Sequence, residues 1–329
     1  MSIKRGCSLY SLQENFYLGK LDLEGCVREA AKAGAEGIEL IPEQMCWQEY
    51  LAPSDAFADR WKSWMEKYGV KSVVMDVFFD YILFKNRVLT KKEQIAMYEN
   101  NIQFAVKLGF PIVRAMMSTN LNILEEMWRI GEHYGVQFGI EVHAPATLTS
   151  PYFEKLMNRM EQTGTKFGGI IPDMSIFSVR PPKVQMDKQV RAGANPELVD
   201  FIVDSYVKKV PYADCVEQIR GMGAKEIDFA TCKRAYASIS SDPEELRLGK
   251  GKIIHIHGKV YEMDENCEET AINYRDSIEI LKEIGYEGYI ATEYEGQRSF
   301  HDAAYGPGGA DEIEQVRRHQ VMLKRYIGA

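Results

Sequence analysis

The stretch "NILEEMWRIGEHYGVQFGIEVH" (residues 122–143) contains in one unit the pattern that decides the fold. Its first part places apolar residues three and four positions apart, as an amphipathic helix requires. Gly135 follows the last apolar turn, where a left-handed helix cap belongs. The second part, "QFGIEVH", is a short apolar run that meets Glu141 and His143 only at its end. Helix, glycine and buried strand in that order make one unit of a parallel sheet with crossover helices.

The same unit recurs along the chain. Further strand candidates are 5–11 ("RGCSLYS"), 37–42 ("GIELIP"), 71–78 ("KSVVMDVF"), 111–117 ("PIVRAMM"), 167–173 ("FGGIIPD"), 252–258 ("KIIHIHG") and 289–295 ("YIATEYE"). Helical patterns such as "LEGCVREAAKAG", "TKKEQIAMYENNIQFAVKLG" and "NYRDSIEILKEIGY" lie between them, and Gly34, Gly109 and Gly285 punctuate them as Gly135 does. With the strand of the opening stretch this makes eight strand–helix units, which predicts a (β/α)8 TIM barrel of the α/β class spanning 1–329 as one domain. A doubly wound open sheet is the alternative, but no Gly-rich phosphate loop follows the first strand.

The interval 174–251, between the sixth and seventh strands, is far longer than a loop plus one helix. "NPELVDFIVDSYVKKV" and "PYADCVEQIRGMG" read as helices opened by Asn195-Pro196 and Pro211. "SVRPPKVQMDKQVRAGAN" reads as a polar, basic loop. The interval is thus a long helical insertion on the strand ends where active sites of this fold sit, serving as a lid or as a surface for a partner. After Phe300 a Gly-rich loop precedes a last amphipathic helix that can close the barrel.

Composition sets the outer bounds. At 45% hydrophobic and 27% charged residues, the 329-residue chain has the material for an ordinary globular core. Forty basic against 48 acidic residues give a formal charge of -8, which argues against nucleic acid as a partner. Six dispersed cysteines (Cys7, Cys26, Cys46, Cys215, Cys232 and Cys267) show no CxxC pair, so thiols reduced in the cytoplasm are the simplest account. No stretch approaches the ~18 apolar residues of a membrane span, and the first residues carry no signal-peptide core.

Polar residues interrupt the strands at one end. Alternate strand residues share a face, so Glu141 groups with His143, His255 with His257 and Lys259, and Glu293 with Glu295, while Asp173 closes the sixth strand. A single glutamate at a strand end is usually the partner of a loop cation. Four consecutive strands delivering Glu141, Asp173, a histidine and Glu293 to one mouth are harder to explain that way. Such carboxylates repel one another unless a cation lies between them. Three carboxylates and one imidazole form a mostly hard donor set, suited to manganese first and to magnesium or cobalt as alternatives. Open coordination positions would make it a catalytic site. Glu39, Glu43, Asp76 and Arg114 also stand at strand ends, as packing or substrate-positioning residues.

These motifs resemble the xylose-isomerase-like barrel superfamily of sugar isomerases, ketose 3-epimerases, keto-inositol dehydratases and endonuclease IV. The resemblance runs through "GIELIP", "FGIEVHAP", "GGIIPDMSIFS", "IIHIHGKV" and "YEGYIATEYEG", nearly the whole chain. It implies Glu141, Asp173, His257 and Glu293 as metal ligands, because the family's His-x-Lys pattern matches His257 and Lys259 better than a frame on His255. Within the superfamily the chain is most similar to the large (α) subunits of C-glycoside deglycosidases. That likeness implies a lyase that works with a small β subunit in a hetero-oligomer and cleaves the carbon–carbon bond between a 3-keto sugar and a flavonoid-type aglycone.

On that reading the sugar C2 proton is acidified by the ketone, and its removal expels the substituent at C1. His143 is the candidate general acid/base, since its ordinary pKa of ~6.5 suits proton exchange at neutral pH. Glu141 and Glu293 complete the catalytic set. His255, Lys259, Glu295 and Arg114 are candidates for binding the glycoside substrate, and Trp47, Phe78, Phe79 and Phe177 for flanking a flat aglycone. The alternatives are another sugar enzyme of the superfamily, such as an isomerase, 3-epimerase or keto-inositol dehydratase, or a barrel that only scaffolds a partner. An endonuclease would need more than the six histidines present.

Overall fold

The structure, a computed structural model, describes residues 3–50, 52–78, 81–301 and 311–328. Phe79 and most of the Gly-rich loop after Phe300 lie outside the described residues. Eight parallel strands form one sheet: β1 (Lys4–Ser8), β2 (Gly37–Leu40), β3 (Lys71–Val77), β4 (Ile112–Ala115), β5 (Gln137–Val142), β6 (Gly168–Pro172), β7 (Ile256–Val260) and β8 (Tyr289–Tyr294). The order β6-β5-β4-β3-β2-β1-β8-β7 leaves β6 and β7 at the two ends. Single bridges join those ends, Ile170 to Ile253 and Asp173 to His257, so the barrel is nearly closed.

Each strand is followed by helix: α1 (Leu23–Ala33), α2 (Asp55–Tyr68), α3 (Lys91–Leu108), α4 (Leu124–Tyr134) and α5 (Pro151–Thr163) after the first five. Beyond β6 come α6 (Lys183–Arg191), α7 (Pro196–Val207), α8 (Tyr212–Gly221) and α9 (Glu226–Ala235). Then α10 (Tyr274–Glu283) follows β7, and α11 (Glu312–Ile327) follows β8 and packs on β8, β1 and α1. Gly34, Gly109, Gly135 and Gly285 all adopt positive φ, between 71° and 108°, where an L side chain would be strained. No helix among the described residues is long and apolar enough to cross a membrane.

Two sequence expectations are corrected. The seventh strand begins at Ile256 rather than 252, because pairing with β8 starts at that residue and 252–254 reach only Ile170 of β6. The stretch 178–195 is not all loop: Pro181 and Pro182 lead into α6, whose Val184 and Met186 are buried. Met186 joins Leu198, Val199, Ile202, Cys215, Ile219, Cys232 and Ala235 in a hydrophobic cluster separate from the main barrel core. The helices α6 to α9 therefore bury their apolar faces against one another, while a short 3-10 helix (Pro243–Gly249) fills the place beside α10.

Inside the barrel the strands carry two levels. Lower down, Val74, Ile112 and Ile171 are buried with Ile254 against them. Gly139 and Gly169 make room for this plug: a Cβ on Gly169 would lie 2.5–2.6 Å from three side-chain atoms of Ile254. Two residues further along, on the same faces, the residues are Asp76, Arg114, Glu141 and Asp173. The apolar plug is thus the floor on which a polar layer rests.

Gly169→Ala should lower thermal stability by about 1–3 kcal/mol through overpacking. Adding Ile254→Ala to it should recover part of that loss in a double-mutant cycle read by thermal denaturation. Strictly additive losses would mean that Gly169 is required for some other reason.

Candidate active site

The polar layer is built from the C-terminal parts of β2 to β5 and β8, from Asp173 just after β6, and from β7, where His257 stands near the start of the strand and Lys259 near its end. Its charged groups are buried. Glu39, Asp76, Glu141, Asp173 and Glu293 each expose 5% or less, as do the cations Arg114 and Lys259. Five carboxylates therefore share two permanent positive charges out of water, where an unbalanced charge is costly. The ring of His257 lies among them. Its Nδ1 is 2.8 Å from Glu141 Oε1 and 3.5 Å from Glu293 Oε2, and its Nε2 is 3.2 Å from Glu39 Oε2.

Burial opposes a charge on His257, but Glu39, Glu293 and Glu141 outweigh it and raise its pKa well above the ordinary histidine value. The same contacts hold Glu39 low against burial, through His257 and His255. Burial, by contrast, pushes Glu293 and Asp76 up. The layer carries more negative charge than its own cations offset.

Glu141, Asp173, His257 and Glu293 each offer a ligand atom within 4.8 Å of the others. Ser175 N–H donates to Asp173 Oδ1 at 2.8 Å, which leaves Oδ2 turned to the cluster. Lys259 Nζ lies 3.1 Å from Asp173 Oδ2 and 2.8 Å from Glu293 Oε2, yet neither oxygen receives an aligned hydrogen bond. Buried carboxylate oxygens left in this way fit a divalent cation, and the donor set of three carboxylates and one imidazole is suited to a hard ion.

Sequence reading left Glu39 undecided, and its position gives it a specific part. It accepts from His255 Nε2 at 2.9 Å and faces His257 Nε2, so it orients the His257 ring with Nδ1 toward the three carboxylates. A second cluster, Glu39, His255 and His257, sits beneath the first and shares His257 with it. The available signal was the acid within "GIEL" on β2, which no local pattern distinguished from an ordinary strand-end glutamate.

The remaining candidates fall at different depths. Arg114 is buried, 2.8 Å from Asp76 Oδ1 and 3.6 Å from Glu141 Oε2, with its guanidinium over the Phe78 ring. His255 is buried on Glu39. Glu43 accepts from Phe78 N–H at 2.7 Å, and burial pushes its pKa up to about 7. Lys259 also reaches Glu295 at 3.1 Å, and Glu295 in turn meets Tyr10 and Arg298. Trp47 is exposed and Phe177 is buried in the core. Neither they nor Phe78 line the cavity at the mouth, whereas Tyr261 does.

His143 and Glu295 line that cavity. The His143 Nδ1 is 2.7 Å from the Ala144 carbonyl oxygen, which only accepts, so Nδ1 carries the proton. Its Nε2 lies 3.7 Å from Asp173 Oδ2 and is the basic nitrogen of the neutral ring. Burial disfavours charge on this ring, but Asp173 and Glu141 prevail and raise its pKa above the usual value. The mouth thus combines a buried cluster that could hold a cation with one half-buried imidazole at its edge.

A barrel with this polar layer belongs to a known class. A sequence model of the xylose isomerase-like TIM barrel matches residues 27–325, and the chain belongs to that family. Among curated relatives, the C-glycoside deglycosidase alpha subunit of Microbacterium trichothecenolyticum is 30% identical over 310 residues, covering 89% of this chain and 83% of the relative. The 3'-dehydrocarminate deglycosidase alpha subunit of Microbacterium sp is 24% identical, covering 98% and 95%. Among solved structures, D-psicose 3-epimerase from Clostridium cellulolyticum H10 superposes with a TM-score of 0.59 at 13% identity, covering 99% of both chains. L-ribulose 3-epimerase also gives 0.59, at 11% identity, covering 99% of this chain and 95% of that one. These structures share the fold.

Glu39→Gln, which leaves Glu141, Asp173, His257 and Glu293 all in place, should weaken manganese binding about 10- to 100-fold, as loss of a group orienting a histidine ligand does. Calorimetric titration of the chelator-treated protein measures it. Unchanged affinity would reduce Glu39 to a packing partner of the two histidines.

Proposed function

We propose that this chain is the catalytic large subunit of a divalent-metal-dependent C-glycoside deglycosidase. It cleaves the carbon–carbon bond between a 3-oxo sugar and an aromatic aglycone, in concert with a small partner subunit. The observation that carries this reading is His143 at the edge of the Glu141, Asp173, His257 and Glu293 cluster. The alignment with C-glycoside deglycosidase alpha subunits over 89% of the chain supports it.

Glu141, Asp173, His257 and Glu293 would hold the cation. When bound, the cation supplies Lewis acidity toward the ketone oxygen of a 3-oxo sugar. The residues of the chain do the rest. His143 Nε2 takes the C2 proton, which the neighbouring ketone has made acidic. The electron pair forms the C1–C2 double bond while the bond from C1 to the aglycone carbon breaks. That carbon takes up the proton from the His143 imidazolium, so the elimination balances without water. Asp173, 3.7 Å from Nε2, favours the imidazolium that exists between the two transfers. Arg114, deeper in the barrel, and Lys259, nearer the opening, hold the carboxylates in place.

A second reading is a ketose 3-epimerase or sugar isomerase, favoured by Glu141 and Glu293, which meet on the same His257 nitrogen and could act as an acid/base pair. The chain, alone and with a small partner protein, should be assayed with manganese against 3-oxo C-glycosides and free ketoses. Release of free aglycone supports deglycosylation, and turnover of the ketoses alone would overturn it.

His143→Ala should retain manganese and lose about 10²–10⁴-fold in turnover, whereas Glu293→Ala should lose the metal. Equal metal loss from both would make His143 a ligand. Because the unprotonated ring is the base, turnover of the parent should fall as the pH drops through the His143 pKa. That acid limb should be missing from the residual activity of His143→Ala.

A further inference from the structure

The cavity that holds His143 is about 620 Å³ in volume, within the range of roughly 300–1,000 Å³ that takes drug-sized ligands. It has two unlike walls. The barrel side presents His143, Ser175, Tyr261 and Glu295, with His143 Nε2 3.7 Å from Asp173 of the buried cluster. The other lining comes from α6, from the end of α9 and from the turn after β8, and it is cationic: Lys188, Arg234 and Arg298 all line the cavity.

These cations stand out in a chain of formal charge -8. The turns of α6 place Gln185, Lys188 and Gln189 on the cavity side, at helical spacing, while Val184 and Met186 are buried. Lys188 Nζ donates to the backbone carbonyl of Arg298 at 3.1 Å and reaches no carboxylate among the described residues. The Arg234 side chain has no ion pair there either. Glu295, the one carboxylate on the cavity wall among the described residues, is held by Lys259, by Tyr10 and, at 3.6 Å, by Arg298. The α6 wall is fixed over the mouth, because Arg191 donates to the Ser299 carbonyl at 2.6 Å. A neutral sugar gives no reason to gather three cations at one rim, and Pro145, Ile239 and Tyr261 add apolar surface to the same cavity.

We propose that Lys188, Arg234 and Arg298 form a subsite for an anionic group carried by the aromatic aglycone, a carboxylate or an ionised phenol, and that this wall selects which glycosides enter. The sugar then faces the metal cluster and the aglycone faces α6 and α9. The assignment to an aglycone rests on the deglycosidase reading; the anion subsite itself rests on the cavity.

The test uses the full-length, manganese-loaded chain and three probes: a flavone carboxylic acid, its methyl ester, and fructose 6-phosphate. The acid should bind about tenfold more tightly than the ester in low salt, and the advantage should shrink as ionic strength rises. The double variant Lys188→Gln/Arg234→Gln should bind acid and ester equally while keeping its manganese. Equal binding of the two by the parent, or a preference for the acid that survives in the double variant, would overturn the proposal. So would tighter binding of the phosphate than of the flavone acid, which would put the anion on the sugar.

The two readings fail separately. Acid preference without cleavage of any 3-oxo C-glycoside sinks the deglycosidase assignment and leaves the anion subsite. Cleavage without acid preference does the reverse.

Discussion

Five buried carboxylates sharing two permanent cations, at the end of a barrel otherwise filled with aliphatic side chains, are the constraint around which this molecule is arranged. Left alone, such a layer would protonate or drive the strands apart. Its stability depends on Arg114, Lys259 and the His257 ring, each placed between two or more acids. The negative charge that these cations leave over is of the kind a divalent cation would offset, and Glu141, Asp173, His257 and Glu293 are placed so that they could hold one.

The floor and the helices serve that layer. Val74, Ile112 and Ile171 with Ile254 form a dry plug, and glycines at 139 and 169 let it sit tightly beneath the charges. The plug keeps water from reaching the carboxylates from below and so keeps their interactions strong. Above, α6 to α9 have their own hydrophobic cluster, which lets them project a polar face over the mouth without borrowing stability from the barrel. One end of the site is therefore set by strand geometry and the other by a helical wall with separate packing.

Much of this was legible in the sequence, and the limits of what was legible have physical causes. Strand alternation places Glu141, Asp173, His257 and Glu293 at strand ends, because period two and the chain direction are local properties. Helix caps at Gly34, Gly109, Gly135 and Gly285 were readable for the same reason. The depth of each residue was not: Arg114 and Lys259 look alike as strand-end cations, but one is wedged between Asp76 and Glu141 and the other bridges three acids near the opening. Glu39 gave no local sign of its two histidine partners, since His255 lies 216 positions away. The helix α6 was hidden by a polar composition with only Val184 and Met186 buried, and Met186 finds its partners in the helices that follow.

By itself, then, the sequence determined the alternation of strands and helices, the parallel barrel that alternation demands, and the acids and histidines that its strands end on. These depend on backbone periodicity and on neighbours a few residues apart. Tertiary structure alone decided which of those groups come within reach of one another, that His257 turns Nδ1 to the acids while Glu39 faces its Nε2, and that Lys188, Arg234 and Arg298 line one cavity. Distance and burial govern the strength of every one of those contacts, and both arise only when strands far apart in the chain are brought into one closed ring.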